Sequence, residues 1–247
     1  MILLVDIGNS RTKYTLVKDI ESKCFTEIIA VDNRLFDSDY ITRLCSNYNK
    51  VTQIVAASVA NDEIIGKIAN YCIYNNMVFC EVTSEPSTSF VTSGYDEPLE
   101  LGVDRWLAII AAQKLYPQKN VLIIDAGTAT TIDLLDRSGK HLGGWIFAGI
   151  SLLFTSLLGD TEKIRADVKQ EISLSFGLNT SDNINNSSWA ATIGLVTQAI
   201  SQAKIVIGEV DEVIITGGNG KALHTLMNIE SVYIEDLIFY GLCEYIK

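Results

Sequence analysis

A repeated hairpin constrains this 247-residue chain more than any other feature. Residues 1–17, MILLVDIGNSRTKYTLV, pass from a branched apolar stretch through the turn formers Gly8, Asn9 and Ser10 into a second alternating stretch. That is the pattern of a β-hairpin with Asp6 at its bend. Residues 121–135, VLIIDAGTATTIDLL, repeat the plan. Asp6 matches Asp125, Gly8 matches Gly127, Thr12 matches Thr131 and Leu16 matches Leu135, all at one offset. Glycine lets backbone come close to a ligand, and successive amides at such a bend form a concavity suited to phosphate oxygens. A carboxylate beside it is placed to hold the cation that accompanies the phosphates. Two such hairpins half a chain apart predict two similar domains facing each other, with a nucleotide's phosphates and their metal between them.

The length suits two domains of about 120 residues, each able to bury its own core. The boundary is expected just after Pro117, giving domains 1–117 and 118–247. A net charge of −11 argues against nucleic acid and against a basic grip on anionic membranes. Any bound anion must be met locally, by backbone amides, a metal and a few basic side chains. Five scattered cysteines fit reduced thiols in a cytoplasmic protein, and two histidines make a histidine metal site improbable. No apolar run approaches the roughly 20 residues that span a bilayer, and residues 1–5 read as a strand, not a secretion signal.

Along the chain, periodicity predicts a strand over 24–31, a helix over 37–47, a buried strand over 53–58 and a helix over 63–75 with Ile64, Ile65, Ile68 and Cys72 inward. A strand over 77–82 follows. Residues 83–102 are polar and read as a long loop, of the length that is usually functional or disordered. The loop opens into a helix running to Tyr116 with Trp106, Leu107, Ile110 and Ala111 inward. In the second half the pattern predicts strands over 142–146, 212–216 and 232–234 and helices over 151–158, 189–208, 221–226 and 235–246. The tract 159–188 is polar and irregular. The whole is α/β. Two phosphate motifs are excluded: Ile215 and Ala222 break the P-loop spacing around Gly220-Lys221, and no strand leads into three spaced glycines. Gly217-Gly218 shapes either an adenosine pocket or a plain turn into a helix.

The paired hairpins resemble those of the acetate and sugar kinase, Hsp70 and actin superfamily. That resemblance implies two ribonuclease-H-like domains from an internal duplication, with mixed sheets and flanking helices. Within it, the chain closely resembles type III pantothenate kinase. That family's pattern D-x-G-N-[ST]-x-x-[KR] is present as Asp6, Ile7, Gly8, Asn9, Ser10, Arg11, Thr12 and Lys13. Its eleven-position pattern Y-x-x-P-x-x-L-G-x-D-R is intact from Tyr95 through Gly102, Val103 and Asp104 to Arg105. D-A-G-T-A-x-T-x-D is present from Asp125 to Asp133, and the pair Gly143-Gly144 follows. The chain departs from the family at Ala148, where proline is usual.

The resemblance implies transfer of the ATP γ-phosphate to the primary hydroxyl of pantothenate. Asp104, at a helix start where the dipole favours an ionised carboxylate, is then the general base. Arg105 would clamp pantothenate's carboxylate, with Tyr95, Gly102, Val103 and Thr180 around the substrate. Residues 6–13 and Thr128 would meet ATP, Asp6 would hold Mg²⁺, and Asp125 would mark a K⁺ or NH₄⁺ site. The family also implies a homodimer, for which the helix from Trp106 and the helix over 189–207 are candidate contacts. The alternatives are a kinase or phosphatase for another substrate on the same fold, and a non-catalytic regulatory homologue.

Overall fold

The computed structural model describes residues 1–19, 24–48, 51–60, 62–159, 171–235 and 237–247. It divides into two compact units: 1–89, 95–111 and 237–247 form the first, and 90–94 with 112–236 form the second. The chain is therefore not separated by one cut, because its C-terminal segment belongs with the first unit.

In the first unit, β1 (Ile2–Ile7) and β2 (Arg11–Asp19) form the antiparallel hairpin. Two short strands, β3 (Cys24–Phe25) and β4 (Ile29–Asp32), both pair with β2. The single strand expected over 24–31 is broken because the Thr26 hydroxyl takes the Leu16 N–H at 3.0 Å, a side chain standing where a ladder carbonyl would be. Helix α1 (Ser38–Asn47) is capped by Asp37, which accepts the Tyr40 N–H at 2.8 Å. It is followed by β5 (Gln53–Ser58), α2 (Asp62–Tyr74) and β6 (Val78–Val82), with β5 parallel to both β1 and β6. Odd residues Leu3, Val5 and Ile7 bury against α1 and α2, with Ile41, Leu44, Ile64, Ile65 and Ile68. Even residues Ile2 and Leu4 bury on the other face with Val103 and Leu107 of α3 (Val103–Leu115) and Phe239 and Leu242 of α7 (Ile238–Leu242). Strand alternation thus puts Asp6 on the α3 side.

Helix α3 is not the one-sided helix that the periodicity predicts: every residue from Trp106 to Ala112 is buried. The Trp106 indole N–H donates to the Tyr245 hydroxyl at 2.9 Å, and a side chain at Gly241 would strike the Leu107 carbonyl. Helix α7 is short and is followed by a single 3₁₀ turn (Cys243–Tyr245), in place of a helix over 235–246.

The second unit repeats the plan. Strands β7 (Val121–Ala126), β8 (Ala129–Leu135) and β9 (His141–Ala148) form an antiparallel meander; β10 (Glu212–Thr216) and β11 (Val232–Tyr233) add in parallel beyond β7. The order β11-β10-β7-β8-β9 is the order β6-β5-β1-β2-β3 of the first sheet. Leu122, Ile124 and Ala126 bury against α5 (Thr180–Ile207) and α6 (Gly220–Leu226), as Leu3, Val5 and Ile7 do against α1 and α2. Helix α4 (Ile150–Gly159) precedes α5. Residues 160–170, within the tract expected to be irregular, lie outside the described residues.

Helix α5 starts nine residues earlier than expected. The asparagines and serines are poor helix formers, but Asn179 caps the helix by accepting the Asp182 N–H at 2.9 Å. Asn185 donates to the Ser181 carbonyl at 2.8 Å and Ser188 to that of Ile184 at 2.8 Å, so both are buried satisfied. Tertiary burial overrides the weak propensity.

Candidate active site

The first bend lies between β1 and β2. The Gly8 N–H donates to the Arg11 carbonyl at 3.0 Å, and a Cβ at Gly8 would crowd that same oxygen at 3.1 Å. Asn9, Ser10 and Arg11 are exposed, Ile7 is buried, and Asp6 is half-buried. Asp6 is in register with Lys13, so the carboxylate and the ammonium share one face of the hairpin. Thr12, expected among the ligand contacts, is fully buried, and its hydroxyl donates to Asn33 Oδ1 at 2.8 Å. Asn33 is a residue that the sequence reading does not single out. It stands 25 positions from Gly8, in the 3₁₀ turn that follows β4, and no local pattern marks it.

The N-terminus of α3 carries the acid and the cation. The Asp104 Oδ1 accepts the Arg105 N–H at 2.8 Å, and a Cβ at Gly102 would lie 2.6 Å from it, so glycine leaves room for the carboxylate. The orphan N–H groups and the positive end of the helix dipole favour the ionised form. Arg105 is 4% exposed; its Nη1 donates to the Tyr95 hydroxyl at 2.5 Å, and its guanidinium lies 5.4 Å from the Tyr95 ring centre. The Ser84 hydroxyl anchors the approach to the helix by donating to the Leu101 carbonyl at 2.5 Å. The long loop of the sequence reading is thus an ordered clamp that brings Tyr95 onto Arg105, ten residues on.

In the second unit the bend is one residue shorter. Asp125 pairs with Thr131 where Asp6 pairs with Lys13, and Thr130 stands where Thr12 does. The uniform offset read from sequence holds up to the bend and slips by one after it, so Leu134, not Leu135, joins the core cluster as Leu16 does. Asp125 is half-buried. Gly217 has φ +89°, and a side chain there would collide with Asp125 Oδ1; Gly127 would crowd the same oxygen at 3.3 Å. Both glycines let backbone approach the Asp125 carboxylate closely, where a side chain would displace Oδ1. Thr128 is exposed, and its carbonyl accepts the Gly149 N–H at 3.1 Å. Thr180 is exposed at the first turn of α5, in this unit, while Tyr95, Asp104 and Arg105 belong to the first. Among the described residues, no three His, Cys, Asp or Glu side chains converge as a metal cage.

The sequence model of type III pantothenate kinase matches residues 2–202. A type III pantothenate kinase from Colwellia psychrerythraea is 46% identical over 255 residues, 99% of this chain and 100% of the relative. Another from Pseudoalteromonas translucida is 33% identical over 244 residues, 98% of this chain and 94% of the relative. Among solved structures, a Campylobacter jejuni protein that carries the name of a Baf family transcriptional activator aligns with TM-score 0.63 at 24% identity, over 98% of this chain and 96% of that one. A propionate kinase from Francisella tularensis aligns with TM-score 0.54 at 14% identity, over 98% of each chain. These structural likenesses concern the fold alone.

Proposed function

The chain belongs to the type III pantothenate kinase family, and we propose how its own residues carry out the ATP-dependent phosphorylation of pantothenate that begins coenzyme A biosynthesis. The observation that carries the assignment of roles is the Tyr95–Arg105–Asp104 arrangement at the start of α3. Phosphoryl transfer asks for positioning and charge neutralisation more than for covalent chemistry. Arg105, buried and held by Tyr95, grips the pantothenate carboxylate; Gly102, Val103 and Thr180 complete the substrate's surroundings. Asp104, its Oδ1 fixed by the next amide, accepts the proton of the primary hydroxyl as that oxygen attacks the γ-phosphorus.

The bend at Ile7–Arg11 offers backbone amides to the phosphates and Lys13 adds a positive charge, and the resemblance makes Thr128 an ATP contact. A half-buried carboxylate, with no cage around it among the described residues, fits Mg²⁺, which keeps most of its shell for water and phosphate oxygens. Asp6 would hold it, and when bound it neutralises the phosphate charge. The family resemblance implies a monovalent cation, K⁺ or NH₄⁺, at the half-buried Asp125 carboxylate, which the backbone at Gly127 and Gly217 approaches closely. We place the enzyme in the cytoplasm as a homodimer. Helix α3 is consumed by its own chain's core, which leaves α5, where Ile205 and Val206 are 76% and 54% exposed, as the contact.

Asp104→Asn tests the assignment. With Mg²⁺ and K⁺ present, pantothenate-dependent ADP release should fall by about 10²-fold or more, the usual worth of a general base, while ATP still binds. Retention of the parent rate would remove Asp104 from the base's role. A regulatory homologue would release no ADP in the parent protein either.

A further inference from the structure

Asn33 holds the first bend from outside by three hydrogen bonds. Its Nδ2 donates to the Gly8 carbonyl at 2.7 Å, its Oδ1 accepts the Thr12 hydroxyl at 2.8 Å, and its backbone N–H donates to the Ser10 carbonyl at 3.1 Å. In a planar trans peptide the carbonyl and the following N–H point in opposite directions. A grip on the Gly8 carbonyl therefore fixes the direction of the Asn9 N–H. Glycine alone would not hold that peptide, since it rotates freely between conformations that other residues avoid. Packing does not hold it either. Asn9 and Asn33 border a cavity of about 510 Å³ that also reaches Arg34, Glu63 and Lys67, so a turned peptide has somewhere to go.

The second hairpin provides the comparison. There Gly149 follows β9 as Asn33 follows β4, and its N–H donates to the Thr128 carbonyl at 3.1 Å as that of Asn33 does to the Ser10 carbonyl, but it has no side chain to reach the bend; the hydroxyl of Thr130, at the position of Thr12, is buried with no hydrogen-bond partner. The carboxamide clamp is thus an addition to the duplicated plan, present on the hairpin that carries Asp6 and Lys13. A bend that only turned the chain would not need its carbonyl held outward. One that receives an anion does, because a flipped Gly8–Asn9 peptide would present an oxygen to the phosphate in place of an N–H.

We infer that Asn33 is a positioning residue for ATP: it keeps the Asn9 N–H turned toward the phosphates, with Thr12 acting through it. The inference rests on the assignment of this bend to the ATP phosphates. It is tested on the full chain by steady-state kinetics and by direct binding of a non-hydrolysable ATP analogue with Mg²⁺. Asn33→Ala should raise the ATP KM and the analogue Kd roughly tenfold, the effect of one aligned hydrogen bond to a charged group, and leave the pantothenate KM within about twofold. Thr12→Val should move the same two quantities less. The double variant should be no worse than Asn33→Ala, because both substitutions break one clamp.

Asp6→Asn separates the two layers of the argument. If it leaves the analogue Kd unchanged, the bend does not serve ATP and the inference falls with that reading. If it weakens binding about tenfold or more while Asn33→Ala stays within about twofold, the reading stands and Asn33 is not a positioning residue. Additive effects of Asn33→Ala and Thr12→Val would likewise overturn the clamp. Should Asn33→Ala fail to fold, weakened ATP binding in Thr12→Val with recovery in Thr12→Ser supports the clamp, and its absence rejects it.

Discussion

Replacing Tyr95 by Phe removes one oxygen and leaves the ring. The phenol oxygen accepts a 2.5 Å hydrogen bond from Arg105, whose side chain is almost wholly out of solvent, so water does not easily take its place. Leaving a buried donor of a charged group unsatisfied costs about 1–3 kcal/mol. The ring face, 5.4 Å from the guanidinium carbon, keeps its cation–π attraction, worth about 0.5–2 kcal/mol, so Arg105 stays nearby but loses its aim. If that aim serves the pantothenate carboxylate, the pantothenate KM rises by roughly 5- to 150-fold and the ATP KM stays within about twofold. The assay is coupled ADP release with each substrate varied in turn, alongside a thermal melt. A melting point lowered by about 2–4 °C per kcal/mol, with both KM values unchanged, would show that the bond supports only the fold and refute the reasoning.

Gly217→Ala should lower the response to K⁺ by about tenfold or more, because its Cβ would displace Asp125 Oδ1; Gly139→Ala, also at positive φ but pressed on the Phe90 carbonyl, should cost similar stability of about 1–2 kcal/mol and leave the cation response intact. A cation titration of ADP release on both variants checks this, and equal responses would reject the cation site at Asp125. Burial, with a smaller contribution from Cys45, pushes the Cys72 thiol from 9.0 up to about 11. The unfolded thiol then ionises first, so stability is flat in this group below pH 9 and falls by up to about 2–3 kcal/mol between pH 9 and 11. Urea midpoints should show that Cys72→Ala removes this part of the alkaline slope, and an unchanged slope would contradict it. Ile205→Glu with Val206→Glu should shift the sedimenting species from dimer to monomer; an unaltered mass would take α5 out of the interface.

Much of the fold was legible in the chain because it rests on local periodicity. The hairpins, β5, β10, the inward face of α2 and the glycine turn into α6 all follow from alternation or helical spacing. The candidate site was legible where it is contiguous, in residues 6–13 and from Tyr95 to Arg105, since a bend or a helix start collects its own neighbours. The misses share one cause. Thr26 interrupting a ladder, α3 buried all round, α5 extending through asparagine and serine, and the one-residue slip after the second bend each depend on partners distant in sequence.

What the sequence determined by itself is the plan: two hairpins, each with an aspartate ahead of a glycine bend, and an acid–arginine pair opening a helix. Tertiary structure alone decided that Asn33 reaches back to the first bend, that Tyr95 holds Arg105, and that Gly217 packs against the Asp125 carboxylate. The physical reason is the range of the forces. Backbone conformation is set within a few residues and leaves its mark as pattern, whereas a hydrogen bond or a steric limit between segments 25 or 90 positions apart exists only once burial has brought them together.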